Sequence, residues 1–270
     1  MNSISESKLE SRWDLIESAL SKSLLSVDDL EEAIFSFNSR FRKSWSFRCL
    51  KGFFLVEATL EERILFFDVT LPKMQKMCLE AKKQFPRPPK LLKKGSNGEL
   101  YLTQEQCATI LVQAFFCVFP RRNSFKSGSE YSSYNQINFN RIFGLQPLGE
   151  NFEKLRTLIH YFNRVVSRMP TGVVSFQRTK LGIEPDWEGL SYGLSNVEIS
   201  DNGVIETEGR AYIQMDFANK YIGGGALGGG LVQEEIQFII QPELICSMLV
   251  TEELDDDECL GKLYGYYSNY

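Results

Sequence analysis

Apolar positions recur at helical spacing through the first 169 residues. Ile110, Leu111, Ala114, Phe115 and Val118 form one stripe, and Thr103-x-x-Gln106 ahead of them has the form of a capping box. The pattern predicts a helix that opens at Thr103 and is closed by Pro120. A second stripe, Leu155, Leu158, Ile159, Phe162, Val165 and Met169, has the same spacing and ends at Pro170. His160 falls on its polar side and reads as a surface helix residue rather than a catalyst. The stretch FPRPPKLLKKGSNG at 85–98 reads as a connector by its prolines and glycines. FPRRNSFKSGSEYSSYNQINFNR, dense in Ser, Asn and Gly, reads as the loop between the two helices.

After Pro170 the period changes. Val173–Phe176 reads as a strand, and AYIQMDF at 211–217 alternates so that Ile213, Met215 and Phe217 share one face. Asp216 points the other way, near that strand's end. GGGALGGG follows at 223–230, and LVQEEIQFIIQPELICSML then reads as a helix. Strand, glycine loop and helix together form an arrangement that attracts anions, because glycine lets the backbone approach and the helix N-terminus presents N–H groups. Gly223-x-Gly225-x-x-Gly228 also matches the dinucleotide fingerprint, but no clear acidic residue stands about 20 positions on. No Lys-Ser or Lys-Thr follows the glycines, which excludes a Walker A loop. A turn serving only close packing remains an alternative.

Glu234 and Glu235 lie in the first turn of the predicted helix. Matching the helix dipole would explain an isolated pair. Asp216 and Asn219 leave the preceding strand toward the same place, which favours chemistry. Adjacent helical residues point about 100° apart, so the two glutamates take separate tasks. One can hold a sugar hydroxyl while the other transfers a proton.

Composition narrows the setting. The chain has 270 residues, 43% of them hydrophobic, enough for one large domain or two smaller ones. No run of some 18 apolar residues could cross a membrane. The polar N-terminus, MNSISESKLESRW, lacks the apolar core of a secretory signal. Six scattered cysteines without a CxxC pair read as reduced thiols of an intracellular protein, and a single histidine argues against His-based metal or triad chemistry. The net charge of −5 divides unevenly: residues 1–150 carry 21 basic against 17 acidic side chains, residues 151–270 carry 9 against 18. Any polyanion must therefore be gripped locally rather than by the bulk field.

The stretch QMDFANKYIGGGALGGGLVQEEIQFIIQPELI resembles the signature of the poly(ADP-ribose) glycohydrolase family: Asp-Phe-Ala-Asn, a glycine triplet, a short spacer, then Gln-Glu-Glu. AFFCVFPRRN, SEYSSYNQINFNR and PTGVVSFQR are similar to segments of the animal enzymes, so the resemblance runs from about residue 85 to 258. It implies an α+β protein: a helical accessory domain over 1–169, then over 170–270 the first part of a macrodomain-like mixed sheet with flanking helices. It implies hydrolysis of ribose–ribose O-glycosidic bonds, with Glu235 as general acid/base, Glu234 and Asn219 on the ribose hydroxyls and Asp216 in support. Gly223, Gly224 and Gly225 would wrap the diphosphate, and Ile205, Glu206 and Gln233 would lie on the adenine side. No metal or cofactor is implied. The implied partners are poly(ADP-ribose) and ADP-ribosylated proteins, with no membrane and no sequence-specific nucleic acid, for a monomer of the nucleus or cytoplasm. After DDDECL the chain departs from the family pattern, so a fragment, a shortened isoform or a divergent ending is expected. The alternative function is a non-catalytic isoform that binds ADP-ribose or regulates.

Overall fold

The computed structural model describes residues 11–121, 129 and 131–265. Its first part is helical, from Arg12–Leu20, capped by Ser11, to the long helix that carries the second stripe. The capping box forms as expected: the Thr103 hydroxyl accepts from the Gln106 amide at 3.1 Å, and Gln106 Oε1 accepts from the Thr103 amide at 3.0 Å. The helix that follows, α1 (Gln104–Phe115), stops short of Pro120. Cys117 ends it by taking a left-handed φ of 54°, which breaks the repeat before proline can. Helix α2 (Gly149–Ser167) buries Leu155, Leu158, Ile159, Phe162 and Val165 and leaves His160 exposed.

These stripes meet in a phenylalanine-rich core. The Phe115 ring stands edge-on to Phe143 at 5.2 Å and to Phe162 at 5.4 Å. Each fully buried Phe or Leu contributes roughly 1.5–3 kcal/mol. The same core continues without a break through Ile222, Leu227, Phe238 and Met248. The chain's later segments therefore complete the core that the helices begin.

Three antiparallel strands lie beside it in the order β1 (Gly98–Thr103), β2 (Val173–Lys180), β3 (Glu258–Gly265). The resemblance implies a mixed sheet; the ladders here are antiparallel, with one parallel bridge between Leu92 and Thr251. The period-2 pattern of β2 turns Val174, Phe176 and Arg178 inward. Strand β1 was not anticipated, although Leu100 and Leu102 alternate inward along it.

Two expected elements are corrected. Residues 211–217 do not form a strand: they pair with no ladder, and Ile213 is 97% exposed. A strand needs a partner backbone, and this segment is held instead by a side chain, Gln233, which bonds the Met215 carbonyl and the Phe217 amide. The expected long helix after the glycines is three pieces, α3 (Gln233–Ile240), a 3-10 turn Pro242–Ile245 and a short helix Cys246–Val250. Pro242 forces the break, since the residue before a proline is driven out of helical geometry; Gln241 sits at φ −125°, ψ 73°. All six cysteines are free thiols. Among the described residues no helix is long and apolar enough to cross a membrane.

Candidate active site

The glycine loop and the start of α3 fold onto each other through the two glutamates. Glu234 Oε1 accepts from the Gly223 amide at 2.7 Å, and its Oε2 accepts from the Asn219 amide at 3.0 Å. Glu235 Oε1 accepts from the Gly225 amide at 2.8 Å. Its Oε2 reaches back to the Val232 amide at 3.1 Å, which satisfies one orphan donor of the helix N-terminus. Both side chains are buried. The loop's N–H groups thus address the carboxylates of its own chain.

Glycine is required at the centre of this arrangement. Gly224 has a φ of +46°, and a Cβ placed there would lie 2.6 Å from Glu235 Oε1 and 2.7 Å from Glu234 Oε2. One point in space is therefore faced by an oxygen of each carboxylate. At Gly223, φ +83°, a Cβ would meet Met248 and the Phe238 ring at 2.9 Å. The Gly224 amide donates to Tyr221 O at 3.0 Å.

The remaining expected residues divide between near and separate placement. Asp216 comes close enough for its charge to raise the pKa of Glu234, and one of its oxygens is buried without a hydrogen-bond partner. Gln233 holds the segment that carries Asp216: its Nε2 donates to Met215 O at 2.8 Å and its Oε1 accepts from the Phe217 amide at 3.1 Å. Asn219 is exposed, and its Oδ1 accepts from the Tyr221 amide. Ile205 and Glu206 lie in the turn before a short 3-10 helix, Glu208–Ala211. The Ile205 carbonyl accepts from the Gly209 amide and from Gln214 Nε2, within its own segment.

Burial dominates the electrostatics. It raises the pKa of Glu234, against the opposing amides of Asn219 and Gly223. It also raises that of Asp216, where Lys262 opposes and Glu235 reinforces the shift. Lys262, on β3, has its ammonium 3.7 Å from the centre of the Phe238 ring. Burial brings its pKa down to about 8, with the charges of Asp216 and Glu234 pulling the other way.

Three residues of the site were not anticipated. Asn135 Nδ2 donates to the carbonyls of Ile222 and Gly224 at 3.1 and 3.0 Å. The buried Lys154 ammonium donates to the carbonyls of Ala226, Gly228 and Gly230. Lys262 is the third. Lys154 had left a signal, since it stands in line with Leu158 and Phe162 at four-residue intervals. A lysine on an apolar stripe invites a search for its partners. Asn135 lies in the family-like stretch SEYSSYNQINFNR, but nothing local points to its partners 87 and 89 residues on, and Lys262 left no signal on a strand without apolar alternation. Among the described residues no cluster of His, Cys, Asp and Glu could hold a metal ion.

The helical part holds the glycine loop and the glutamate pair through its core and through Asn135 and Lys154, and with the three-stranded sheet this makes a mixed α+β protein. The family model described as "Poly (ADP-ribose) glycohydrolase (PARG), helical domain" matches residues 58–178. The model described as its "Macro domain fold" matches residues 184–269. The chain belongs to the poly(ADP-ribose) glycohydrolase family. It is 36% identical over 191 residues to "Poly(ADP-ribose) glycohydrolase 1" of Arabidopsis thaliana, covering 67% of this chain and 34% of that protein. It is 33% identical over 185 residues to "Probable poly(ADP-ribose) glycohydrolase 2" of the same plant, covering 63% and 34%. A protein of Caenorhabditis elegans, "Poly(ADP-ribose) glycohydrolase 1", is 30% identical over 181 residues, covering 65% and 21%. The chain thus spans about a third of the length of the two plant relatives.

Proposed function

We propose that the chain carries the proton-transfer site of a poly(ADP-ribose) glycohydrolase, with ADP-ribose units of the polymer as substrate. The observation that carries the reading is the convergence of Glu234 and Glu235 on the point beside Gly224. Two carboxylates of one helical turn, held by separate amides, face a space that only glycine leaves open. In this reading Glu235 gives its proton to the leaving ribose oxygen as the glycosidic C–O bond breaks. The anomeric carbon passes through an oxocarbenium-like state. Glu235 then takes a proton from the water that adds to that carbon, so one residue serves both proton steps. The spacing rule for glycosidase carboxylate pairs assumes two residues sharing that work and does not apply.

Glu234 and Asn219 are assigned to the ribose hydroxyls, and Asp216 to the support of the pair. Gln233 fixes the segment 215–217 beside the helix end, and Ile205 and Glu206 are assigned to the adenine. The amides of Gly223, Gly224 and Gly225 already donate within the protein. These glycines serve the diphosphate by allowing close backbone approach rather than by donating N–H groups. The domain division at 169/170 and an intracellular, monomeric state belong to the same proposal.

The test is to incubate the purified 270-residue chain with poly(ADP-ribose) and quantify free ADP-ribose by chromatography. Release that is lost in Glu235→Gln supports the reading. Calorimetric binding of ADP-ribose without release identifies a non-catalytic binding isoform instead. Tighter binding of NAD than of ADP-ribose overturns both.

A further inference from the structure

We infer that Lys154 is a positioning residue for Glu235, a cation lent by the helical part to shape the turn that holds the carboxylate. The inference rests on the assignment of Glu235 to proton transfer. An ammonium has three donors, and three carbonyls of one short turn receive them: Ala226 at 3.1 Å, Gly228 at 2.8 Å, and Gly230. The amides of Gly228 and Gly230 both donate to Gly225 O, at 2.7 and 3.2 Å. The turn therefore wraps around the lysine head with Gly225 at its root, and the Gly225 amide leaves on the other side to donate to Glu235 Oε1.

Gly230 lies directly against the same carboxyl. A Cβ there would stand 2.5 Å from Glu235 Cδ. The peptide that Lys154 grips through Gly230 O is thus the one packed against the reacting group. Glu235 and Arg141 both approach this turn, the first by its effect on Lys154 and the second by its guanidinium near Gly228. Burial brings the Lys154 pKa down to about 8 while the charge of Glu235 pulls it back up. A Met or Leu at this place would continue the stripe of Leu158 and Phe162 without the cost of a buried charge. The charge is explained by the carbonyls it gathers.

The experiment compares the full chain with Lys154→Met and Lys154→Ala. Amide hydrogen exchange reads the geometry without requiring catalysis, so it separates failure of this inference from failure of the glycohydrolase reading. In Lys154→Met the Gly225 amide should exchange about tenfold faster or more, as expected for loss of a local hydrogen-bonded unit, while amides of β2 keep their protection. If the chain turns over polymer, kcat should fall ~10²-fold, with the affinity for ADP-ribose changed by less than about threefold. Ethylammonium chloride should restore Gly225 protection to Lys154→Ala, and sodium chloride at equal ionic strength should not. Should Lys154→Met fail to fold, the rescue of Lys154→Ala decides alone. Unchanged Gly225 protection in Lys154→Met, equal loss at β2, or an Ala variant indifferent to ethylammonium overturns the inference.

Discussion

Glu235 Oε1 lies 2.8 Å from the amide nitrogen of Gly225, ten residues earlier in the chain. Its other oxygen accepts from Val232, so both oxygens of the carboxyl are acceptors. Glu235→Gln, although matched in shape, must turn its NH2 group toward one of these N–H donors. The variant is expected to lose roughly 1–3 kcal/mol of stability through that buried mismatch. If the chain turns over polymer, release of ADP-ribose should fall by ~10²–10⁴-fold, the usual worth of a general acid–base group. Urea unfolding and a chromatographic assay measure the two effects separately. Near-normal release by the variant would falsify the assignment of Glu235.

Gly224→Val should damage both carboxylates at once. The backbone there has φ +46°, and the first side-chain atom would overlap an oxygen of Glu234 and one of Glu235. Left-handed geometry alone costs a residue with a Cβ roughly 1–2 kcal/mol. We expect a lowered melting temperature together with loss of ADP-ribose binding by calorimetry. An unchanged affinity would mean that ligand does not approach the space beside Gly224.

Asn135 is the second tie between the loop and the preceding part of the chain. Asn135→Ala leaves the carbonyls of Ile222 and Gly224 without this donor and should cost roughly 1–3 kcal/mol. Asn135→Asp should be worse, because it sets a carboxylate oxygen against two carbonyl oxygens. Denaturant midpoints in the order wild type, Ala, Asp are the expected result. An Asp variant as stable as wild type would show that the amide is not needed there.

Much of this was legible in the sequence because it depended on local pattern. The Thr103–Gln106 box and the stripes that became α1 and α2 follow from spacing within a few turns. Asp216 approaches the glutamate pair, but from a segment that is not the expected strand. What escaped depended on distant partners. Alternation at 211–217 signalled a strand, but alternation supplies only one side of a ladder. Pro242 stood in plain view inside an apolar run whose helical period continued past it, and the local break prevailed. Lys154 could be seen to lie on an apolar stripe, yet its three carbonyls lie 72 to 76 residues further on.

Acid stability should depend on Arg178 and Glu258, whose side chains are both fully buried. Glu258 accepts from two nitrogens of Arg178 and from the amides of Gly95 and Asp255. Arg178 also donates to the carbonyls of Leu92, Glu252 and Glu253, so the pair ties β2 and β3 to the segments beside them. The Arg178 hydrogen bonds bring the pKa of Glu258 down from 4.5 to about 2. Because the folded value lies below the unfolded one, the stabilisation is complete above pH ~4.5 and is lost as pH falls through about 2. The shift corresponds to about 3 kcal/mol. Removing the charge by Glu258→Gln strands a buried guanidinium, at a cost near neutrality of about 3–5 kcal/mol. The two proteins should therefore differ most above pH 5, and the difference in unfolding free energy should shrink by about 3 kcal/mol on approach to pH 2. Urea unfolding of wild type and Glu258→Gln from pH 7 to pH 2 makes the comparison. Carboxylates elsewhere titrate alike in both, so a difference that stays constant over that range would show that ionisation of Glu258 contributes nothing to stability.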